Sequence, residues 1–234
     1  MSEWAPKRFW QNATVEREAD AFTVHLDGRP VRTPGKRALL VPTETMAHRI
    51  AEEWKAQDDK IDPESMPWTR SANSAIEKVA PERAGVEAHL IDYAGTDLVC
   101  YRAERPESLI SRQASAWDPI LAWAEHNFDA RLSTTSGVMP VEQPGHAIER
   151  LSQTMPQMSD FQMTGFYDLV TLSGSFLIGL AAAHGFAPEH DLWDASRVDE
   201  MWQIEQWGAD EEASEVAEIK KQAFLHATEF YRSA

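Results

Sequence analysis

Cysteine is nearly absent: Cys100 stands alone in 234 residues, so no intrachain disulfide can form. That fits a reducing compartment. Positive charge is also scarce, with 22 Lys and Arg against 38 Asp and Glu, a formal net charge of −16. A general nucleic-acid binder would carry a basic footprint, and so would a protein drawn to anionic membranes; both are excluded as expectations. No long hydrophobic run is present. Leu169–Ala183 is uncharged but spans only fifteen residues and contains Thr171, Ser173, Gly174, Ser175 and Gly179. A spanning helix needs about twenty predominantly apolar residues, so this run reads as a buried helix of small residues, and no integral membrane segment is expected. Met1–Lys7 lacks the apolar core of a signal peptide and the long Arg- and Ser-rich stretch of a transit peptide. The chain is expected to stay where it is made, or to be a processed form.

The motifs of common catalytic chemistries are missing as well. The eight histidines are scattered, none with the spacing of a metal-binding helix, and Cys100 has no partner cysteine. There is no phosphate-cradling glycine loop. Ser173-Gly174-Ser175 lacks the glycine framing of a nucleophile elbow and lies in the apolar run. No catalytic, cofactor-binding or metal-binding residue is expected. A triad or carboxylate pair assembled from distant positions would escape such a search.

What is present is an ordinary globular composition, 43% apolar and 26% charged, enough for one large domain or two small ones. The first forty residues read as strands: Lys7–Val15, Ala21–Leu26, Pro30–Thr33 and Ala38–Val41. Asp27-Gly28 forms a two-residue hairpin signal and Pro34-Gly35 a turn. The pattern then turns helical. Thr43 can cap a helix carrying Met46, Ile50, Trp54 and Gln57 on one side. Further helices are expected around Ala72–Val79 and Val86–Asp97. The cleanest periodicity is Ile110, Ala114, Trp117, Leu121, Ala124 and Phe128, interrupted by Pro119, where the helix kinks or Asp118 caps a new one. Leu132–Val141 reads as loop or short strand, and helices resume near Ala147, Phe161, Pro188 and Glu211. Strands first and helices after is an α+β arrangement: a small antiparallel β-rich N-terminal domain, residues 1–66, followed by a larger mainly α-helical domain, residues 67–234.

Charge is segregated. Met1–Arg49 holds eight bases and six acids, whereas from Ala187 onward only Arg197, Lys220, Lys221 and Arg232 oppose twelve acids. This acidic pole contains Asp199-Glu200-Met201-Trp202-Gln203-Ile204-Glu205-Gln206-Trp207-Gly208-Ala209-Asp210. On a helix, Val198, Met201, Trp202 and Glu205 form one stripe, which puts a carboxylate in line with an apolar face. Such an acid is either satisfied inside the fold, by backbone or a neighbouring Arg, or awaits a cation from outside. Arg29, Arg32, Lys36 and Arg37 surround the hairpin. They could hold an anionic ligand or pair with the chain's own surplus acids.

Taken together, several motifs resemble a family. They are Arg8-Phe9-Trp10; Leu26 through Pro34; Ala51-Glu52-Glu53-Trp54-Lys55-Ala56-Gln57; Met66-Pro67; Tyr93 through Leu98; Tyr101-Arg102; Gln113 with Trp117-Asp118-Pro119; and the Asp199–Asp210 stretch. Their order and spacing resemble the assembly chaperone of the F1 sector of ATP synthase, of the type that binds the α subunit, known from mitochondria and α-proteobacteria. The resemblance implies no catalysis. It implies that the chain holds newly made α subunit before it joins β, with a β-rich N-terminal domain and a helical one after it. It also implies a cytoplasmic location in bacteria, or the mitochondrial matrix for eukaryotic relatives, and a monomer when free.

The family's acidic position near the C-terminus maps onto Glu205, with Asp199, Glu200 and Asp210 beside it and Trp202 and Trp207 as candidate anchors. Aromatic anchors with an acidic rim suit a chaperone that covers an aggregation-prone patch and is later displaced. The competing class is a small-molecule enzyme or carrier that grips an anionic ligand through Arg29 and Arg32. A permanent structural subunit would be a third.

Overall fold

The computed structural model describes residues 7–137 and 139–234. The reading of Met1–Pro6 lies outside these residues, as does Val138 within the Leu132–Val141 stretch. Strand β1 (Ala13–Glu18) pairs antiparallel with β2 (Ala21–Leu26), in register from Ala13 opposite Leu26 to Glu18 opposite Ala21. The expected strand at Lys7–Val15 is thus displaced toward the C-terminus. Asp27 and Gly28 adopt φ of 47° and 81°, the left-handed pair that matches strand twist in a tight hairpin, and lead into the two-residue β3 (Arg29–Pro30). The Asp27 carboxylate accepts the backbone N–H groups of Gln11 and Asn12, both at 2.9 Å, and these bonds hold its pKa below the usual value. Ala38–Val41, expected as a strand, contributes only single bridges, Ala38 to Arg32 and Val41 to Phe22.

Helix α1 (Glu44–Ala56) starts where Thr43 accepts the Met46 N–H, and it buries Met46, Ala47, Ile50 and Ala51 against β1 and β2. A 3-10 turn (Pro63–Ser65) precedes α2 (Pro67–Ser74), which continues as a wide-turn segment, Ala75–Val79. Glu53 of α1 is buried, and its carboxylate accepts the N–H groups of Trp68 at 2.6 Å and Thr69 at 2.8 Å and the Thr69 hydroxyl at 2.7 Å. It thereby satisfies orphan donors at the start of α2, although burial pushes its pKa up.

The remaining helices are α3 (Arg83–Gly95), α4 (Glu107–Phe128), α5 (Gly145–Ser152), α6 (Asp160–Ser173), α7 (Phe176–His184), α8 (Glu189–Ser196), α9 (Val198–Trp207) and α10 (Glu211–Ser233). A short parallel pair joins β4 (Tyr101–Arg102) to β5 (Thr135–Ser136). Pro119 lies inside a single helix, α4, whose buried side is Gln113, Trp117, Ile120 and Ala124. A three-stranded antiparallel sheet near the N-terminus followed by helices is the α+β arrangement expected from the sequence.

The chain forms two compact units. One comprises Met1–Arg83 with Ser159–Gly165 and Glu229–Ala234; the other comprises Ala84–Met158 and Phe166–Thr228. Pro67–Arg83 therefore belongs with the first unit. In the first unit Trp10, Val24, Leu26, Leu39, Met46, Ile50, Trp68 and Phe230 make the core.

In the second unit the apolar run is divided at Gly174. Asp97, fully buried, accepts the Ser175 hydroxyl at 2.6 Å, the Leu177 N–H at 2.9 Å and the Val99 N–H at 3.1 Å, so one carboxylate caps α7 and fixes the turn after α3. Loss of hydration outweighs these bonds and raises its pKa to about 6. Helix α6 comes so near α7 that a Cβ on Gly179 would meet Val170 Cγ2 at 2.7 Å. No helix of the described residues is long and apolar enough to cross a membrane.

Candidate partner-binding site

The Asp199–Asp210 stretch forms most of α9, the bend after it and the approach to α10. Helix α9 packs on α4 at its start, where Val198 is buried. The expected stripe of Val198, Met201, Trp202 and Glu205 is not a buried face. Met201 is exposed, and Trp202 is half-buried beneath the Arg112 guanidinium, 5.2 Å above its ring. Every residue from Gln203 to Val216 is exposed, so the end of α9 and the first turns of α10 are little covered by the other described residues.

Each carboxylate of the stretch nevertheless has a partner within the chain. Asp199 accepts from Gln113 Nε2 at 2.7 Å, while Gln113 Oε1 accepts the Ala103 N–H at 2.8 Å. Glu200 pairs with Arg197 at 2.9 Å. Glu205 takes both arms of Arg112, at 2.7 and 2.9 Å, across 93 positions of sequence. These hydrogen bonds, with the attraction of the cation, hold the Glu205 pKa down and the Arg112 pKa up. Asp210 accepts the Ala213 N–H at 2.7 Å and so caps α10. Glu205 thus has a neighbouring Arg as partner within the chain.

Apolar side chains are what remain without cover. Trp207 is 79% exposed and Ile219 69%, with Met201, Ile204 and Val216 also exposed. Met201, Ile204 and Trp207 follow one another at three-residue spacing along α9, as do Val216 and Ile219 along α10. Around them stand Glu211, Glu212, Glu215 and Glu218, opposed nearby by Lys220 and Lys221. An exposed apolar row in an acidic setting is the composition of a protein-binding surface. Sequence reasoning singled out Trp202, Trp207 and the acids but not Met201, Ile204, Val216 or Ile219 as contact residues. Apolar residues at three-residue intervals in so acidic a segment were the available signal.

The arginines of the N-terminal hairpin are differently placed. Arg32 Nη1 donates to the Lys36 carbonyl at 3.0 Å within its own loop, and Arg37 Nη1 to the Ile76 carbonyl at 2.8 Å, which ties that loop to the segment after α2. Arg29 lies exposed on β3. Among the described residues no group of three or more His, Cys, Asp or Glu is arranged to hold a metal.

Comparison with known proteins adds a lineage to this geometry. The family model described as ATP12 chaperone protein matches residues 7–125. The chain is 45% identical to Atp12 from Paracoccus denitrificans, whose crystal structure superposes with a TM-score of 0.94 over 98% of this chain and 99% of that one. An aspartate-to-lysine mutant of the P. denitrificans protein gives the same identity and TM-score over 99% of both chains. Protein atp12, mitochondrial, from Schizosaccharomyces pombe is 23% identical over 222 residues, which cover 90% of this chain and 76% of the yeast protein.

Proposed function

Since the chain belongs to the ATP12 chaperone family, chaperones of ATP synthase assembly, we propose that it binds the unassembled α subunit of the F1 sector, prevents its aggregation and delivers it for F1 assembly. The observation that carries this reading is the uncovered apolar row of Met201, Ile204 and Trp207, set on a helix whose carboxylates are all engaged within the chain. A subunit made for a ring exposes, before assembly, apolar surface that its neighbour will later cover, and such surface aggregates. A chaperone must cover it and then yield to the true neighbour. A few aromatic and aliphatic anchors provide the contact, and the acidic surround steers encounter and sets register.

In this reading Trp207 is the central anchor. Trp202, Glu205 and Arg112 form the brace that holds the helix, and Asp199 and Glu200 fix its first turn. Asp210 sets the start of α10. The free protein is a monomer, and it works where α subunit is made or imported: the cytoplasm of a bacterium, or the mitochondrial matrix for eukaryotic relatives.

The test is co-expression with the cognate α subunit followed by size-exclusion chromatography. A discrete complex, with α soluble only when this chain is present, is expected. Trp207→Ala should weaken the complex about tenfold or more, in the manner of an interface anchor. Glu205→Lys should also weaken it, by setting two cations face to face at Arg112 while circular dichroism stays unchanged. The proposal fails if α aggregates regardless. The assignment of the site fails if both variants, folded, hold α as the unsubstituted chain does.

A further inference from the structure

A second feature of the helical unit lies outside the Asp199–Asp210 stretch. Between α4 and α8, a groove of about 390 Å3 is lined by Ala116, Ile120, Phe186, Leu192, Ala195 and Val198. Its floor is apolar: Ile120, Leu192, Ala195 and Val198 are buried side chains that line it. Its rim is acidic. Asp191 and Asp194, one turn apart on α8, are both exposed and line it, and neither is in an ion pair among the described residues. Nearby basic groups are already engaged. Arg197 pairs with Glu200 at 2.9 Å and lies 5.7 Å over Trp193, and Arg102 pairs with Asp118 of α4 at 2.8 Å. The groove thus combines a greasy floor with uncompensated negative charge.

From this combination we infer that the groove docks a basic amphipathic helix of the client subunit, with aliphatic side chains in the cleft and Lys or Arg reaching Asp191 and Asp194. Two arguments fix the occupant. The groove walls are α4, α8 with the turn before it, and the start of α9, so no strand edge is offered and recognition is by side chains, as when an amphipathic helix lies in a groove. The same face of a second copy, with its own Asp191 and Asp194, would meet the acidic rim with like charge, whereas a basic segment meets it with opposite charge. That the helix belongs to the client rests on the function proposed above. The chemistry of the segment does not.

The experiment uses the full chain and a fluorescein-labelled synthetic peptide with Leu at i, i+3, i+4 and i+7 and Lys between them, followed by anisotropy, with its scrambled isomer as control. The unsubstituted chain should bind the patterned peptide about tenfold or more tightly than the scrambled one. The double variant Asp191→Lys, Asp194→Lys should lose that binding. Ala116→Leu, which fills the groove from the half-exposed side of α4, should lose it at unchanged net charge. Asp20→Lys, at an exposed acid in the turn between β1 and β2, should bind the peptide normally.

The proposal is overturned if the scrambled peptide binds equally, if both groove variants bind as before, or if Asp20→Lys abolishes binding as the groove variants do. It is also overturned if sedimentation shows a dimer of the free chain that Ala116→Leu dissolves, since the groove would then belong to a second copy. Groove-dependent peptide binding by a chain that fails to hold α would leave the groove standing and remove the client. Retention of α by both groove variants would leave the client standing and remove the groove.

Discussion

Helices α7 and α9 are nearly the same length and both carry large apolar side chains, yet their surroundings are opposite. From Phe176 to Ala182 every residue of α7 is buried, whereas in α9 only Val198 is. The carboxylates that serve the two helices differ in the same way. Asp97, in a dry interior, is held by hydrogen-bond donors alone and its pKa rises to about 6. Glu205, near water, is held by a guanidinium and its pKa falls. Exposure of Met201, Ile204 and Trp207 is therefore no consequence of weak hydrophobicity. A helix with apolar side chains left open, in the same unit as one so thoroughly covered, is consistent with the partner surface proposed for it.

The contrast can be broken by truncation. Leu180→Ala in α7 should cost about 2–5 kcal/mol in urea unfolding, because it leaves a cavity among packed neighbours. Trp207→Ala, which removes a larger side chain, should leave stability within about 0.5 kcal/mol. Equal costs would mean that α9 is covered in solution and would remove the basis of its assignment.

A smaller effect is expected at the cap. Asp97→Asn keeps one acceptor oxygen but turns an amide donor toward groups that themselves donate, for about 1–3 kcal/mol of destabilisation. Unchanged stability would show that the capping bonds contribute nothing net.

The finest distinction is pH. A carboxyl whose folded pKa lies above its ordinary 3.8 favours the folded state most when protonated, so its contribution is full below that value and is lost as pH rises through about 6. The stability difference between the unsubstituted chain and Asp97→Asn should accordingly be largest near pH 4 and narrow toward pH 6. A difference that widens over this range would put the Asp97 pKa below normal. Comparing the two chains cancels the slopes from Glu53, raised like Asp97, and from Glu205, lowered.

Features set by neighbouring residues were legible in the sequence. The Asp27-Gly28 turn, the Thr43 cap and the buried row beginning at Met46 and Ile50 depend on side chains within a few positions, and they occur as expected. So does the succession of strands and helices. The ends of strands were less legible. Lys7–Val15 alternates no better than Ala13–Glu18, and the register is fixed by the hairpin turn and not by local preference. The capping roles of Glu53 and Asp97 were hidden, since each depends on a helix start brought from elsewhere in the chain, near Trp68 and near Ser175.

At the candidate site, the helical pattern of α9 could be read, but not which side the fold would cover. Periodicity shows that Met201 and Trp202 lie near Val198; it does not show that packing ends after the first turn. Nor could Arg112, so far from Glu205 in sequence, be named as its partner.

Between α9 and α10, Gly208 has φ of 91° and ψ of 161°, and a Cβ there would meet nothing within 4 Å. Crowding therefore does not demand a glycine; the backbone angles do, in a region essentially closed to other residues. An exposed segment ordinarily drifts freely over evolutionary time, since few of its side chains touch the core. Here that freedom has one fixed point. Side chains along the two arms touch little of the core, while the angle at which those arms are presented rests on a residue that has no side chain at all.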